Sequence, residues 1–178
     1  ENTDQGVYYL TVQDAINAAE IGDVIQVTGD HNVKDIVVNK GLKIAAGAGG
    51  AHFNGLGLRG GTGITVNTTE VVEFDGVTFE NYDIAIDFVA FGSASITNCT
   101  FINNVAAVNN QTTTMIAAEG NYWGHASGPL HTTTNPGGQG SQVSDGVLYD
   151  PWLGAPAGAR PRQYRRTDPA VFSGRRLG

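Results

Sequence analysis

The feature that most constrains this chain is a recurrence through its middle at an interval of about 22 residues, the length scale of one solenoid coil. Phe79, Phe101 and Trp123 are evenly spaced, and the same shift carries Phe74 onto Ile96, Val77 onto Cys99, Asn81 onto Asn103 and Ile86 onto Val108. A period of about 20 to 30 residues with strand-forming content predicts a solenoid, in which one repeat cannot bury its apolar face alone and does so against its neighbours. Coils stacked at about 4.8 Å would place equivalent residues in columns. Phe79, Phe101 and Trp123 are then an inward aromatic ladder. Asn81 and Asn103 are a corner ladder whose side-chain amides pair from coil to coil. A leucine-rich repeat would need a leucine spacing and a helix per repeat that the sequence lacks. The expected fold is all-β, a right-handed parallel β-helix of about five or six coils.

The rest of the chain is read around that repeat. Val12, Ala15, Ile16 and Ala19 fall at helical spacing in the run Thr11 to Glu20. Thr11 with Asp14 resembles a capping box, and Gly22 is the expected stop. Val24 to Thr28, Asp35 to Val38, Leu42 to Ala46 and Ile64 to Val66 have strand character, separated by Gly, Asn and Asp. A solenoid leaves open ends that need covering. The helix is therefore expected to plug the N-terminal end with Val12, Ile16 and Ala19. Residues 1–154 are read as the β-helix with its caps and 155–178 as an irregular Pro-, Gly- and Arg-rich tail.

At the far end stand Asn121-Tyr122-Trp123-Gly124, Ser127-Gly128-Pro129, Asn135-Pro136-Gly137-Gly138 and Tyr149-Asp150-Pro151-Trp152-Leu153. This string resembles the closing segment of secreted bacterial and archaeal β-helix proteins of the pectin-lyase-like superfamily. The stretch Val12 to Val27, a helix followed by a Gly-Asp-Val-Ile strand, is similar to that superfamily's opening. The likeness covers most of residues 7–154. It implies a secreted or cell-surface protein and, because the superfamily includes pectate lyases and polygalacturonases, it brings a polysaccharide-cleaving enzyme into consideration.

Charge divides the chain. Residues 1–159 hold sixteen of the seventeen acidic groups against Lys34, Lys40, Lys43 and Arg59. Residues 160–178 hold Arg160, Arg162, Arg165, Arg166, Arg175 and Arg176 against Asp168 alone. An acidic body argues against nucleic acid as its partner, because phosphate binding needs a basic surface. Cys99 is the only cysteine, so no disulfide forms within the chain and a zinc site of several thiolates is excluded. No apolar run is long enough to span a bilayer, and no signal-peptide pattern opens the sequence.

Catalysis of the superfamily's kind needs paired carboxylates, or calcium held by carboxylates with a basic proton acceptor. The richest acidic stretch is Glu73, Asp75, Glu80, Asp83 and Asp87, with Arg59 about one coil earlier. The favoured reading makes these residues outward positions alternating with Val72, Phe74, Val77, Phe79, Ile84 and Ile86, and no catalytic residue is assigned. His125 and His131 flank the Ser127-Gly128-Pro129 turn without a third metal ligand, so no metal and no cofactor are expected. Ser127 lacks a nucleophile-elbow setting. Cys99 reads as a small buried apolar residue. Trp123 and Trp152 are expected to fill the end of the core. Of three glycosylation sequons, Asn67 and Asn110 are the candidates, and Asn98 is expected to be the least accessible.

The tail is the clue to function. Its scattered apolar residues, Tyr164, Val171, Phe172 and Leu177, cannot bury enough surface to offset its ordering entropy alone. Its six arginines suit the acidic body, with Phe172 as an anchor. The tail is expected either to pack along its own β-helix or, as the favoured reading, to join other copies of the chain, through Arg160, Arg162, Arg165, Arg166, Phe172, Arg175 and Arg176. Such a head-to-tail contact yields a filament if the rotation does not close. The first reading is a non-catalytic structural module. The second is a lyase or hydrolase acting on acidic polysaccharide, and the third is a glycan-binding module. A short body and an acidic surface set that order.

Overall fold

A computed structural model describes residues 1–55 and 61–156. In chain order its elements are α1 (Val12–Ala18), β1 (Val24–Asn32), β2 (Ile36–Val38), β3 (Leu42–Asn54), β4 (Thr62–Asn67), β5 (Val71–Asp75), β6 (Val77–Glu80) and β7 (Ile84–Ala90). There follow β8 (Ser93–Thr97), β9 (Thr100–Ile102), β10 (Ala106–Asn110), β11 (Ile116–Ala117), β12 (Gln142–Val143) and β13 (Val147–Leu148). Every ladder between these strands is parallel, and they wind into a β-solenoid of about four turns. That is fewer coils than the sequence suggests. Beyond β11 the winding becomes irregular: Tyr122, β12 and β13 still pair in parallel with the coil before, but long turns join them.

Each coil has three faces. The first carries the leading part of β1 and β3, then β5, β8, β11 and β13. The second carries the trailing part of β1 and β3, then β6 and β9, with Tyr122 bridged to Thr100. The third is β2, β4, β7, β10 and β12. The bend between the first two faces is made by Gly76, Asn98 and Gly120, evenly spaced at one coil each, with φ of 72°, 55° and 72°. These values lie in the left-handed region, which glycine adopts freely and asparagine tolerates. The next bend uses Asn81 (φ 65°) and Asn103 (φ 54°). Two left-handed corners in each of two successive coils, Gly76 with Asn81 and Asn98 with Asn103, keep the even period of the sequence.

Register confirms the columns. Phe79 pairs with Phe101, Phe74 with Ile96 and Ile86 with Val108. The rings of Phe79 and Phe101 stack at 5.3 Å and 9°, and those of Phe101 and Trp123 at 4.9 Å and 8°. All three are fully buried. Burial contributes about 1.5–3 kcal/mol per side chain and each ring pair about 0.5–1.5 kcal/mol more. The ladder is longer than the repeat indicates: Phe53 meets Phe79 edge-on at 5.5 Å, and His31 meets Phe53 at 6.0 Å.

Asparagine stitches the coils, though not as the sequence suggests. Asn81 donates its amide to Asn54 Oδ1 at 3.0 Å, one coil back. The buried stitches belong to Asn104 and Asn121. Asn104 accepts from the Tyr82 N–H at 2.9 Å and donates to the Phe79 carbonyl at 3.0 Å. Asn121 accepts from the Cys99 N–H at 2.7 Å and donates to the Ile96 and Ala118 carbonyls, both at 2.7 Å. Their amides satisfy backbone groups that would otherwise be buried without partners.

The N-terminal end is covered as expected, by a shorter helix. Thr11 caps α1 by accepting from the Asp14 N–H at 3.1 Å, and Val12, Ala15, Ile16 and Ala19 are buried. The helix ends at Ala18, before Gly22, and Lys40 donates to the Asn17 and Ala19 carbonyls at 3.0 and 2.8 Å. Gln13 covers the edge of β2 by exchanging two hydrogen bonds with the Val37 backbone, and Glu1 exchanges two with the Gln26 backbone. Unpaired strand edges invite association, and these contacts blunt them.

At the other end the closing segment has a physical task at each position. A Cβ on Gly124 (φ 95°) would meet the Phe101 carbonyl oxygen at 2.8 Å, and one on Gly128 (φ 79°) would strike the Trp152 ring at 2.6 Å. Asn135 donates to the Ser127 and Pro129 carbonyls at 3.0 and 2.7 Å. Trp123 fills the core end, and Trp152 is half-buried over this loop, packs against the core and donates to the Ala126 carbonyl at 3.1 Å.

Candidate functional site

The acidic stretch does not converge on one cleft. Glu73 and Asp75 lie on the first face, Glu80 on the second, and Asp83 and Asp87 on or beside the third. Three of the five are held by a neighbour in an adjoining coil. Asp75 pairs with Lys43 at 2.8 Å and accepts from the Asn98 amide at 3.0 Å. The Lys43 hydrogen bond, then that of Asn98, holds the Asp75 carboxyl below the ordinary aspartate value; Asp75 in turn raises the Lys43 ammonium. Asp87 accepts from Asn109 at 2.8 Å and from Gln111 at 2.9 and 2.8 Å. Asp83 is exposed. Arg59 and the tail interface residues Arg160, Arg162, Arg165, Arg166, Phe172, Arg175 and Arg176 lie outside the described residues.

Glu80 takes part in a cluster that sequence reasoning misses. His52 Nδ1 lies 3.0 Å from Asp30 Oδ1, and its Nε2 lies 2.9 Å from Glu80 Oε2. His52 is thus held between two carboxylates from the neighbouring coils. The three residues come from β1, β3 and β6, consecutive strands of the second face; Asp30 is in register with His52, and Glu80 reaches it diagonally from two residues past its strand partner Thr78. They line a shallow concavity of about 610 Å³ together with Gly49, Gly50 and Gly76. The missing signal is register: Asp30 and His52 are 22 residues apart, but His52 and Glu80 are 28, because the coil between them is longer and the contact runs diagonally.

The histidines of the closing loop are structural. His125 Nδ1 and Ser127 Oγ lie 2.8 Å apart, and Ser127 Oγ also accepts from the Gln139 N–H at 3.0 Å. The buried His131 accepts at Nδ1 from the Thr134 N–H at 3.2 Å, which leaves its proton on Nε2, 3.2 Å from Asp145. Thr134 also bonds Tyr149. Among the described residues no group of three or more His, Cys, Asp or Glu side chains is arranged to hold a metal ion. Cys99 is fully buried, and burial pushes its thiol up to about 12. No described helix is long and apolar enough to cross a membrane.

The sequons divide by geometry. Asn67 is exposed at the end of β4. Asn110 is half-buried, donates its amide to the Thr114 carbonyl at 2.8 Å and accepts from the Thr112 N–H at 3.0 Å. Asn98, expected to be hidden beside the inward Cys99, is exposed, because its left-handed corner turns it away from the core.

No protein-family model, curated protein or solved structure matches the chain significantly.

Proposed function

We propose that this chain is a non-catalytic structural module of a secreted or cell-surface protein, a short stiff β-helix that joins to other copies of itself through its basic tail. One observation carries the reading: the ionisable side chains that an enzyme would present together are spread over three faces and spent on joining coils. Asp75 is engaged by Lys43 and Asn98, Glu80 by His52, and Asp87 by Asn109 and Gln111. The acidic body and the arginines at 160–176 supply opposite charge for association. The resemblance of the closing segment to secreted pectin-lyase-like β-helices supports the location. Sedimentation velocity on the full chain and on a chain ending at residue 156 tests this, at about 0.02 M and about 1 M salt. Larger species are expected only with the tail and at low salt. Monomers throughout would overturn the reading.

A second reading, a module that binds or cleaves glycans, is favoured by the concavity beside Asp30, His52 and Glu80. Turnover or retention measured on a panel of neutral and acidic polysaccharides distinguishes it, with Glu80→Gln abolishing either.

A further inference from the structure

Resting on the proposed tail-mediated association, the structure also points to where the tail goes. We propose that the segment around Phe172 of one copy docks in a groove on the first face of a neighbouring copy.

The groove, of about 340 Å³, lies where the third face turns into the first. Its apolar lining is Ile21, Val24, Leu42 and Val71, and its acidic lining is Glu70 and Glu73. Ile21 is 67% and Val71 55% exposed, so two large aliphatic side chains on the lining of this groove stand in water. Glu70 is exposed and Glu73 half-buried, and Glu20 precedes Ile21 in the chain. Lys43, the base in the lining, is committed to Asp75 at 2.8 Å. The site is thus apolar at its centre and acidic at its margin.

The tail has the complementary pattern. Val171 and Phe172 stand between Arg165-Arg166 and Arg175-Arg176. An aromatic anchor flanked by guanidinium groups suits an apolar slot flanked by carboxylates, the arginine stems covering aliphatic surface while their heads meet the acids. The volume falls near the low end of the ~300–1,000 Å³ of ligand clefts, enough for an aromatic side chain and its neighbours. The chain from 156 to Phe172 has a reach of about 50 Å if extended, against about 20 Å for four stacked coils. A neighbour's groove is therefore within range. Because the tail leaves the closing end and the groove lies near the opening end, the contact is heterologous and propagates from copy to copy.

The test uses the full chain with Phe172 replaced by photoreactive p-benzoylphenylalanine, mixing isotopically labelled and unlabelled copies. Cross-linked peptides joining labelled to unlabelled chains at Ile21 or Val71 are expected. Cross-links between chains at other surfaces, or only within single chains, would overturn the groove assignment. Failure of the full chain to associate would instead remove the reading on which it rests. Glu70→Lys with Glu73→Lys is expected to weaken association at least about tenfold, with the melting curve retained. Glu119→Lys, exposed and remote in the fold, is the control; an equal loss there would show a diffuse charge effect and overturn the assignment.

Discussion

Asn121 Oδ1 accepts the Cys99 N–H at 2.7 Å, one coil back, as Asn104 accepts the Tyr82 N–H, so an asparagine side chain takes up a buried backbone donor between coils. The Asn121 amide satisfies two carbonyls, those of Ile96 and Ala118. The near-isosteric Asn121→Leu strands all three groups in the core. Each buried group left without a partner costs about 1–3 kcal/mol, so a loss of roughly 3 kcal/mol or more is expected in urea denaturation. A loss below about 1 kcal/mol would show that these three groups find other partners.

The corner column Gly76, Asn98 and Gly120 predicts a residue-specific tolerance. Gly120 has φ 72° and open space around its missing Cβ, so a substitution there tests backbone strain alone. Gly120→Val is expected to lower stability by about 1–2 kcal/mol, and Gly120→Asn by much less, since Asn98 already holds the equivalent conformation. Equal losses for the two in thermal melts would argue against the left-handed corner.

Cys99 is predicted to be silent toward thiol reagents in the folded protein. Burial hides the sulfur and, by raising the thiol to about 12, suppresses the thiolate that reacts. Labelling by a disulfide reagent in mildly alkaline buffer should therefore follow global unfolding, accelerating steeply with urea. Rapid labelling without denaturant would contradict the packing.

Asp75 sets an acid dependence. Its folded-state value lies below the ordinary 3.8, chiefly because of Lys43, so its contribution is present above that value and is lost as pH falls through the lower folded value. The pair is partly exposed, which limits the effect to about 1 kcal/mol or less. Asp75→Asn should flatten the acid limb of the stability curve measured by circular dichroism. Lys43, raised above 10.5 by the same contact, contributes below that value and loses its share as pH climbs past its higher folded value.

What sequence reveals of this fold depends on coil length. From β5 onward successive coils are equal in length and stay in step, so Phe79, Phe101 and Trp123 announce their column. Earlier coils are unequal: Val24 pairs with Lys43, 19 residues on, Leu42 with Val72, 30 on, and Phe53 with Phe79, 26 on, and residues 47–50 bulge out between the two parts of β3. His31 and Phe53 therefore escape notice. The bend column is hidden for another reason: glycine and asparagine share a backbone conformation without sharing a side chain. The candidate cluster is less legible still. Lys43 finds Asp75 across 32 residues and His52 finds Glu80 across 28, and such partners are fixed only once the strand register is known.

Because the bends of the later coils repeat in place, a coil can be copied without disturbing its neighbours. A second copy of residues 84–105, inserted after 105, would present the same ladder edges above and below and lengthen the rod by about 4.8 Å. Both end closures would remain as they are. Reach is thus an adjustable property of this molecule, one that gene duplication can tune in steps of a single strand.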